Sequence, residues 1–302
     1  MSANTLGIVI DPAVCTGCGL CVRVCPSDII SVHNNLARLT AADPCLYCGH
    51  CMAVCPPQAI YLPELDKDAG CFSFIDLDPA WLPPGTGPGK DLVRLIASRR
   101  SCRNFTGQPV EKHQLDDLIK LATWAPSGTN SQAWTFTCLG SRTQVLALGL
   151  SIKDFFKKLN KRAENRVLRK FLAFFGARAL DRYFRNHYET VKIAIEQMET
   201  RNRDRLFHGA PALILVGSGP DASCPQEDAL LAAGNILLGA HIMGLGSCLI
   251  GFAVAAMAAD AAIQQNLGIP ATEKIYAAIA LGYPDETFQT ITGRKIPVTR
   301  FI

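Results

Sequence analysis

Several things are missing from this chain of 302 residues, and each absence removes a class of function. No run of Lys and Arg interleaved with aromatics occurs, and the net charge is only +4, so no nucleic-acid groove is expected. Met1 to Ile10 lack a basic start followed by an apolar core, so no secretory leader is expected there. Gly87-Pro-Gly89-Lys90 imitates a phosphate loop, but Pro84 replaces its leading glycine and Asp91 its final hydroxyl residue. Gly217-Ser-Gly219-Pro220 begins like a dinucleotide fingerprint, yet Ala222 replaces the third glycine and Pro220 and Pro225 oppose an immediate helix. A Rossmann-type nicotinamide site is therefore not expected. Between Ala229 and Ala259 there is no Asp, Glu, Lys or Arg, a stretch long enough for the roughly 20 residues of a membrane span. Asn235, His241 and the break at Gly244-Leu-Gly246 argue instead for a buried helix followed by a buried strand, so no transmembrane segment is expected.

The remainder is ordinary globular composition, half hydrophobic and a fifth charged, with length for about two domains. The thirteen cysteines are not ordinary. Cys15, Cys18, Cys21 and Cys25 form CxxCxxCxxxC followed by Pro26, and Cys45, Cys48, Cys51 and Cys55 repeat it before Pro56. Disulfides fit neither the regularity nor the crowding, and zinc favours separated CxxC pairs. The pattern indicates metal chemistry in a reducing compartment, and a cytoplasmic location is expected. The other five, Cys71, Cys102, Cys138, Cys224 and Cys248, are scattered.

This double run resembles the bacterial two-cluster ferredoxins over about residues 6–62. The resemblance implies two 4Fe–4S clusters with crossed ligation: Cys15, Cys18, Cys21 and Cys55 on one, Cys45, Cys48, Cys51 and Cys25 on the other. Gly17, Gly19 and Gly49 would let backbone N–H groups approach the sulfurs. The expected organisation is a ferredoxin domain over 1–62, a Pro/Gly-rich linker over 63–90 and a second domain over 91–302.

In the second domain Arg99, Arg100, Ser101 and Arg103 crowd three guanidiniums and a hydroxyl into five residues, which suits a phosphate. A helix over Glu111–Ala122 and a strand over Trp134–Leu139 bracket Pro126-Ser127-Gly128-Thr129-Asn130-Ser131-Gln132-Ala133-Trp134. Downstream come Gly209-Ala210-Pro211 with an apolar strand, Gly244-Leu-Gly246-Ser-Cys248-Leu-Ile250-Gly251, Leu281-Gly282-Tyr283-Pro284 and Gly293-Arg294-Lys295-Ile-Pro297. Together these blocks resemble the nitroreductase family of FMN proteins, with Ala133 where that family commonly has proline. The resemblance implies an α+β fold with a mixed sheet flanked by helices. It also implies a homodimer with FMN at the interface. The phosphate would lie near Arg99, Arg100, Ser101, Arg103, Arg294 and Lys295. The ring would lie against Pro126, Ser127, Gly128, Asn130, Gln132, Ile250 and Gly251.

Residues 151–208 fit that family least. Aromatics stand among cations that outnumber acids about two to one. They read as a helical cap facing a membrane or partner, or as an amphipathic helical pair with a solvated basic face. His208 is a possible proton donor, though a single His is more often structural. The expected function is an iron–sulfur flavoprotein that passes electrons from the clusters to FMN and on to a nitroaromatic, quinone or activated alkene. A low-potential ferredoxin is the expected donor, docking on Lys157, Lys158 and Arg162. An electron relay to a partner protein and a biosynthetic flavin enzyme remain alternatives.

Overall fold

A computed structural model describes residues 7–40, 45–65 and 68–302. The chain forms two compact units, one of Met1–Cys71 with Ser127–Gln132, the other of Phe72–Pro126 with Ala133–Ile302.

The first unit is a near-repeat. Strand β1 (Val9–Ile10) leads to helix α1 (Leu20–Val24) and the hairpin β2 (Ile30–His33) and β3 (Leu36–Leu39), then α2 (His50–Ala53) and β4 (Ile60–Tyr61). β1 pairs antiparallel with β4, tying the two ends of the unit together. Gly19 and Gly49 precede the two short helices at φ 71° and 72°, a left-handed turn that side chains resist. The core is small: Ile8, Ile29, Ile30, Ile60 and Leu62 close around the buried Cys21 and Cys51. So few apolar residues leave a unit of this size short of a self-sufficient core.

The first helices of the second unit are α3 (Gly89–Ser98) and α4 (Lys112–Thr123), the latter opened by a capping box of Glu111 and Gln114. Strand β5 (Trp134–Leu139) follows, then four helices: α5 (Arg142–Glu164), α6 (Arg166–Phe174), α7 (Ala179–Asn186) and α8 (Tyr188–Arg201). The region read as a helical pair is thus four helices, with α5 starting before residue 151. The chain continues through β6 (Ala212–Ser218), α9 (Pro225–Ile242), β7 (Gly246–Leu249), α10 (Gly251–Ala259), α11 (Ala261–Gln265) and β8 (Lys274–Gly282). The sheet order is β5-β6-β8-β7, with every ladder antiparallel. Among the described residues, parallel pairing enters at one bridge, Ser101 to Ser247.

The central strand β6 is buried throughout and serves both faces of the sheet. Leu213 and Leu215 pack with Val145, Leu148, Ile152 and Phe207, while Ala212, Ile214 and Val216 pack with Leu118, Ala232 and Ile236. This period-two alternation places α5 on one face and α4 and α9 on the other. The uncharged stretch from Ala229 becomes most of α9, then β7 and α10, and no helix is long and apolar enough to cross a membrane among the described residues.

The Pro/Gly-rich stretch after residue 62 is not all loose. Ser73 donates from its backbone N (2.9 Å) and Oγ (2.5 Å) to the buried Asp117 of α4. Phe72, Phe74 and Leu77 line a cavity with Leu95, Leu121 and Trp124, so the second unit starts at Phe72 rather than residue 91.

Candidate functional site

In the first unit, the close cysteine spacing and the antiparallel β1–β4 closure gather the eight thiols into two groups. One cavity is lined by Cys15, Cys18, Cys21 and Cys55. Another is lined by Cys25, Cys45, Cys48 and Cys51. Each thus holds three cysteines of one run and the last cysteine of the other. Among the described residues no group of three or more Cys, His, Asp or Glu is set to grip a single metal ion. The sulfurs surround a volume rather than a point, which suits a polynuclear cluster and not zinc.

Backbone N–H groups aim at the sulfurs: Tyr47 donates to Cys45 Sγ at 3.2 Å, Ala59 to Cys55 Sγ at 3.3 Å and Ala37 to Cys15 Sγ at 3.5 Å. The backbone N–H of Leu20, at the start of α1, holds the Cys18 thiol below its ordinary range. Burial does the opposite to Cys21, and pushes Cys51 up to about 11. Buried thiols of that kind stay protonated unless a cation lies beside them, so the donor set fits an iron cluster that supplies the charge.

In the second unit, a cavity of about 610 Å³ is lined by Arg99, Arg100, Ser101, Arg103, Asn104, Glu286, Phe288 and Arg294. Four guanidiniums against one carboxylate make it strongly cationic. The loop carrying the first three arginines is held on both sides. Cys102 N donates to Ser247 O of β7 (2.9 Å), Thr106 N to Tyr283 O (2.8 Å) and Asp285 N to Asn104 O (3.0 Å). Two glycines admit the loop. A Cβ on Gly246 would stand 2.7 Å from Cys102 Cβ, and one on Gly282 would stand 2.9 Å from Phe105 Cδ1. The glycines of the two downstream blocks therefore mark where the arginine loop crosses the sheet edge.

Arg100 Nη1 donates to Thr292 Oγ1 at 2.6 Å, which brings the C-terminal segment to the cavity. Arg294 lines it, while Lys295 is exposed and is not among the lining residues. Glu286 accepts from Asn104 Nδ2 (2.6 Å) and from Arg103 N (3.3 Å), and so positions the loop. Neither Glu286 nor Asn104 carried a signal in the sequence.

Residues 96–283 match the nitroreductase family, and residues 7–61 match the 4Fe–4S dicluster domain. The chain belongs to the nitroreductase family. A nitroreductase of Mycolicibacterium smegmatis is 28% identical over 229 residues, covering 70% of this chain and 92% of that protein. An iodotyrosine deiodinase of Thermotoga neapolitana is 26% identical, covering 65% and 90%. A solved nitroreductase with bound FMN from Bacteroides fragilis is 24% identical with a TM-score of 0.49, covering 70% and 99%. This chain is thus a nitroreductase-family flavoprotein oxidoreductase with a 4Fe–4S ferredoxin domain at its N-terminal side.

Other residues singled out for the flavin lie elsewhere in this nitroreductase-family chain. Ile250 is buried at the β7–α10 junction, its N–H given to Ala278 O at 2.8 Å, and Gly251 is exposed as the first residue of α10. Neither lines the basic cavity. Pro126 is exposed in the second unit, and Ser127 to Gln132 belong to the first. That loop is tightly wound: Gly128–Asn130 form a 3-10 turn, Thr129, Asn130 and Gln132 take φ of 51°, 54° and 48°, and Gln132 N donates to Ser127 Oγ at 3.1 Å. Asn130, read as a contact to the flavin's polar edge, gives its Nδ2 to Leu46 O at 2.8 Å. Leu46 stands between Cys45 and Tyr47 in the second cysteine run.

Of the cations expected to dock a carrier, Lys157 is engaged with Glu199 at 2.8 Å, while Lys158 and Arg162 are an exposed pair on α5. Burial pushes the thiols of Cys102 and Cys138 up to about 11 and raises that of Cys248, so none of the three is an activated nucleophile. His208, at φ 57°, has its pKa lowered by burial and sits at the turn that Asp204 caps through Leu206 N, Phe207 N and Gly209 N.

Proposed function

We propose that this protein accepts single electrons at its iron–sulfur domain and delivers electron pairs to a small acceptor: a nitroaromatic, a quinone or an activated alkene. The observation that carries the reading is the coexistence, in one chain, of two four-cysteine cavities and a cavity ringed by four arginines. When bound, the clusters carry one electron each and FMN carries two, which it can release as hydride.

The chain's own residues have distinct tasks. Cys15, Cys18, Cys21 and Cys55 would hold one cluster, and Cys25, Cys45, Cys48 and Cys51 the other. Arg99, Arg100, Ser101, Arg103 and Arg294 would hold the FMN phosphate, with Lys295 reinforcing their field from outside. Charge-assisted bonds of this kind tolerate little displacement, and Glu286 and Gly246 keep the loop in place. Pro126, Ser127, Gly128, Asn130, Gln132, Ile250 and Gly251 would lie toward the flavin ring. The Asn130–Leu46 bond anchors the loop of Ser127–Gln132 to the chain that carries Cys45 and Cys48.

The protein would act as a homodimer. The chain after Pro284 forms no helix or strand and leaves Ile296, Val298, Phe301 and Ile302 almost bare. A second copy is the natural cover for such an apolar arm. The ferredoxin domain carried in the same chain favours a low-potential ferredoxin over a nicotinamide as donor. The test is the anaerobic visible spectrum of the holoprotein. Flavin absorbance should persist with NADH or NADPH and bleach with reduced ferredoxin; rapid bleaching by either nicotinamide would contradict the direction of flow.

A further inference from the structure

We propose that the tip of the α6–α7 hairpin docks this protein onto anionic membrane surfaces, as a peripheral anchor rather than a span. Three observations carry this.

The first is an apolar face turned outward. Val167, Phe171 and Phe174 recur at helical spacing, and Phe175 follows at the helix end; they are 78%, 59%, 85% and 68% exposed. Helices of water-soluble domains normally turn such a stripe inward.

The second is that the face is built and rigid. Asn165 caps the start of α6 through Leu168 N at 3.0 Å. Its end is closed by Ala177 N to Leu172 O (2.9 Å) and Gly176 N to Ala173 O (3.1 Å), with Gly176 at φ 84°. Phe175 stacks edge-on against Phe171 (4.9 Å) and Phe174 (5.4 Å), so three rings stand as a preformed wedge at a convex turn.

The third is charge. Asp181 takes Arg169 and Arg185, each at 3.1 Å, and Arg169 also lies over the Phe184 ring at 3.6 Å. Exposed Arg166, Lys170, Arg178 and Arg182 form no ion pair among the described residues. Unpaired cations beside projecting aromatics complement anionic headgroups over an acyl layer. A folded protein partner would need a deep groove to receive a convex wedge, whereas a bilayer yields to it. No helix of the described residues is long and apolar enough to cross a membrane, so attachment would be at the surface.

The test uses the full holoprotein and sedimentation with vesicles of phosphatidylcholine alone or mixed equally with phosphatidylglycerol. Wild type should pellet with the mixed vesicles and stay in solution with phosphatidylcholine alone. Phe174→Ser should weaken binding about tenfold through lost apolar burial. Lys170→Gln should weaken it about fivefold, and added salt should mimic that loss. Both variants should keep the wild-type visible spectrum and light-scattering mass. Wild type left in the supernatant with mixed vesicles would overturn the proposal. So would variants that bind like wild type. A change of mass in Phe174→Ser without lipid would overturn it too, and would mark the wedge as a contact between copies of the chain.

Discussion

Cys15, Cys18 and Cys21 line their cavity from within seven residues of chain, and only Cys55 is brought from afar. The arginine cavity is assembled differently: Arg100 meets Thr292 across 192 positions, and Glu286 reaches Arg103 across 183. One site is written locally and needs little more than a turn to form. The other exists only once the sheet has brought its edges together. The difference has energetic consequences. A cluster ligand is a covalent partner, and losing one removes a metal group. An arginine is one of several charges, and losing one grades the affinity.

The largest effect should come from choosing which cysteines to remove in pairs. Cys18→Ser with Cys55→Ser removes two ligands from one cavity and should leave about half the bound iron. Cys48→Ser with Cys55→Ser strikes both cavities and should abolish it. Iron and sulfide analysis decides. The reverse pattern, iron abolished in the first double variant and halved in the second, would mean that ligation is not crossed.

A smaller effect is expected at the distant-contact site. Arg100→Ala or Arg294→Ala should weaken FMN retention by roughly ten- to a hundredfold, the worth of a charge-assisted bond of about 1.5–3 kcal/mol. The iron content should be untouched. Fluorescence of released flavin during dilution measures this, and unchanged retention would remove the arginines from the phosphate site.

How much was legible follows the same division. The cysteine runs declared themselves by spacing, and the strand Ala212–Ser218 by an apolar run whose alternate residues serve the two faces of the sheet. Arg99 to Arg103 were legible as a local crowd of cations. Glu286 and Asn104 were not, because their roles arise from a pairing between loops with no local pattern. The bond of Asn130 to Leu46 O was not legible either, because it joins residues 84 positions apart with no shared local pattern. Phe72, Phe74 and Leu77 were hidden in the Pro/Gly-rich stretch, since three such residues have no period to reveal what they cover.

The smallest effect concerns acid. Burial depresses the His208 pKa below its usual value of about 6.5, so the folded state favours the neutral ring. Above that value both folded and unfolded chains carry a neutral imidazole. As the pH falls through it, the unfolded chain takes up the proton first, and stability should decline until the folded-state pKa is reached. His208→Asn, which accepts the left-handed backbone there, should flatten the decline between pH 7 and the folded-state pKa. Denaturant midpoints across that range measure it, and parallel curves for the two proteins would show that His208 does not contribute.

The central claim is that electrons enter through the cysteine-rich unit and leave from the arginine-lined one. The direct measurement is anaerobic turnover of a quinone or nitroaromatic acceptor driven by reduced ferredoxin, normalised to bound FMN, in wild type and in Cys48→Ser with Cys55→Ser. The account predicts that the variant keeps its FMN, still bleaches when the flavin is reduced photochemically, and loses ferredoxin-driven turnover. Undiminished turnover in that variant would contradict it, because the electrons would then reach the flavin without the clusters.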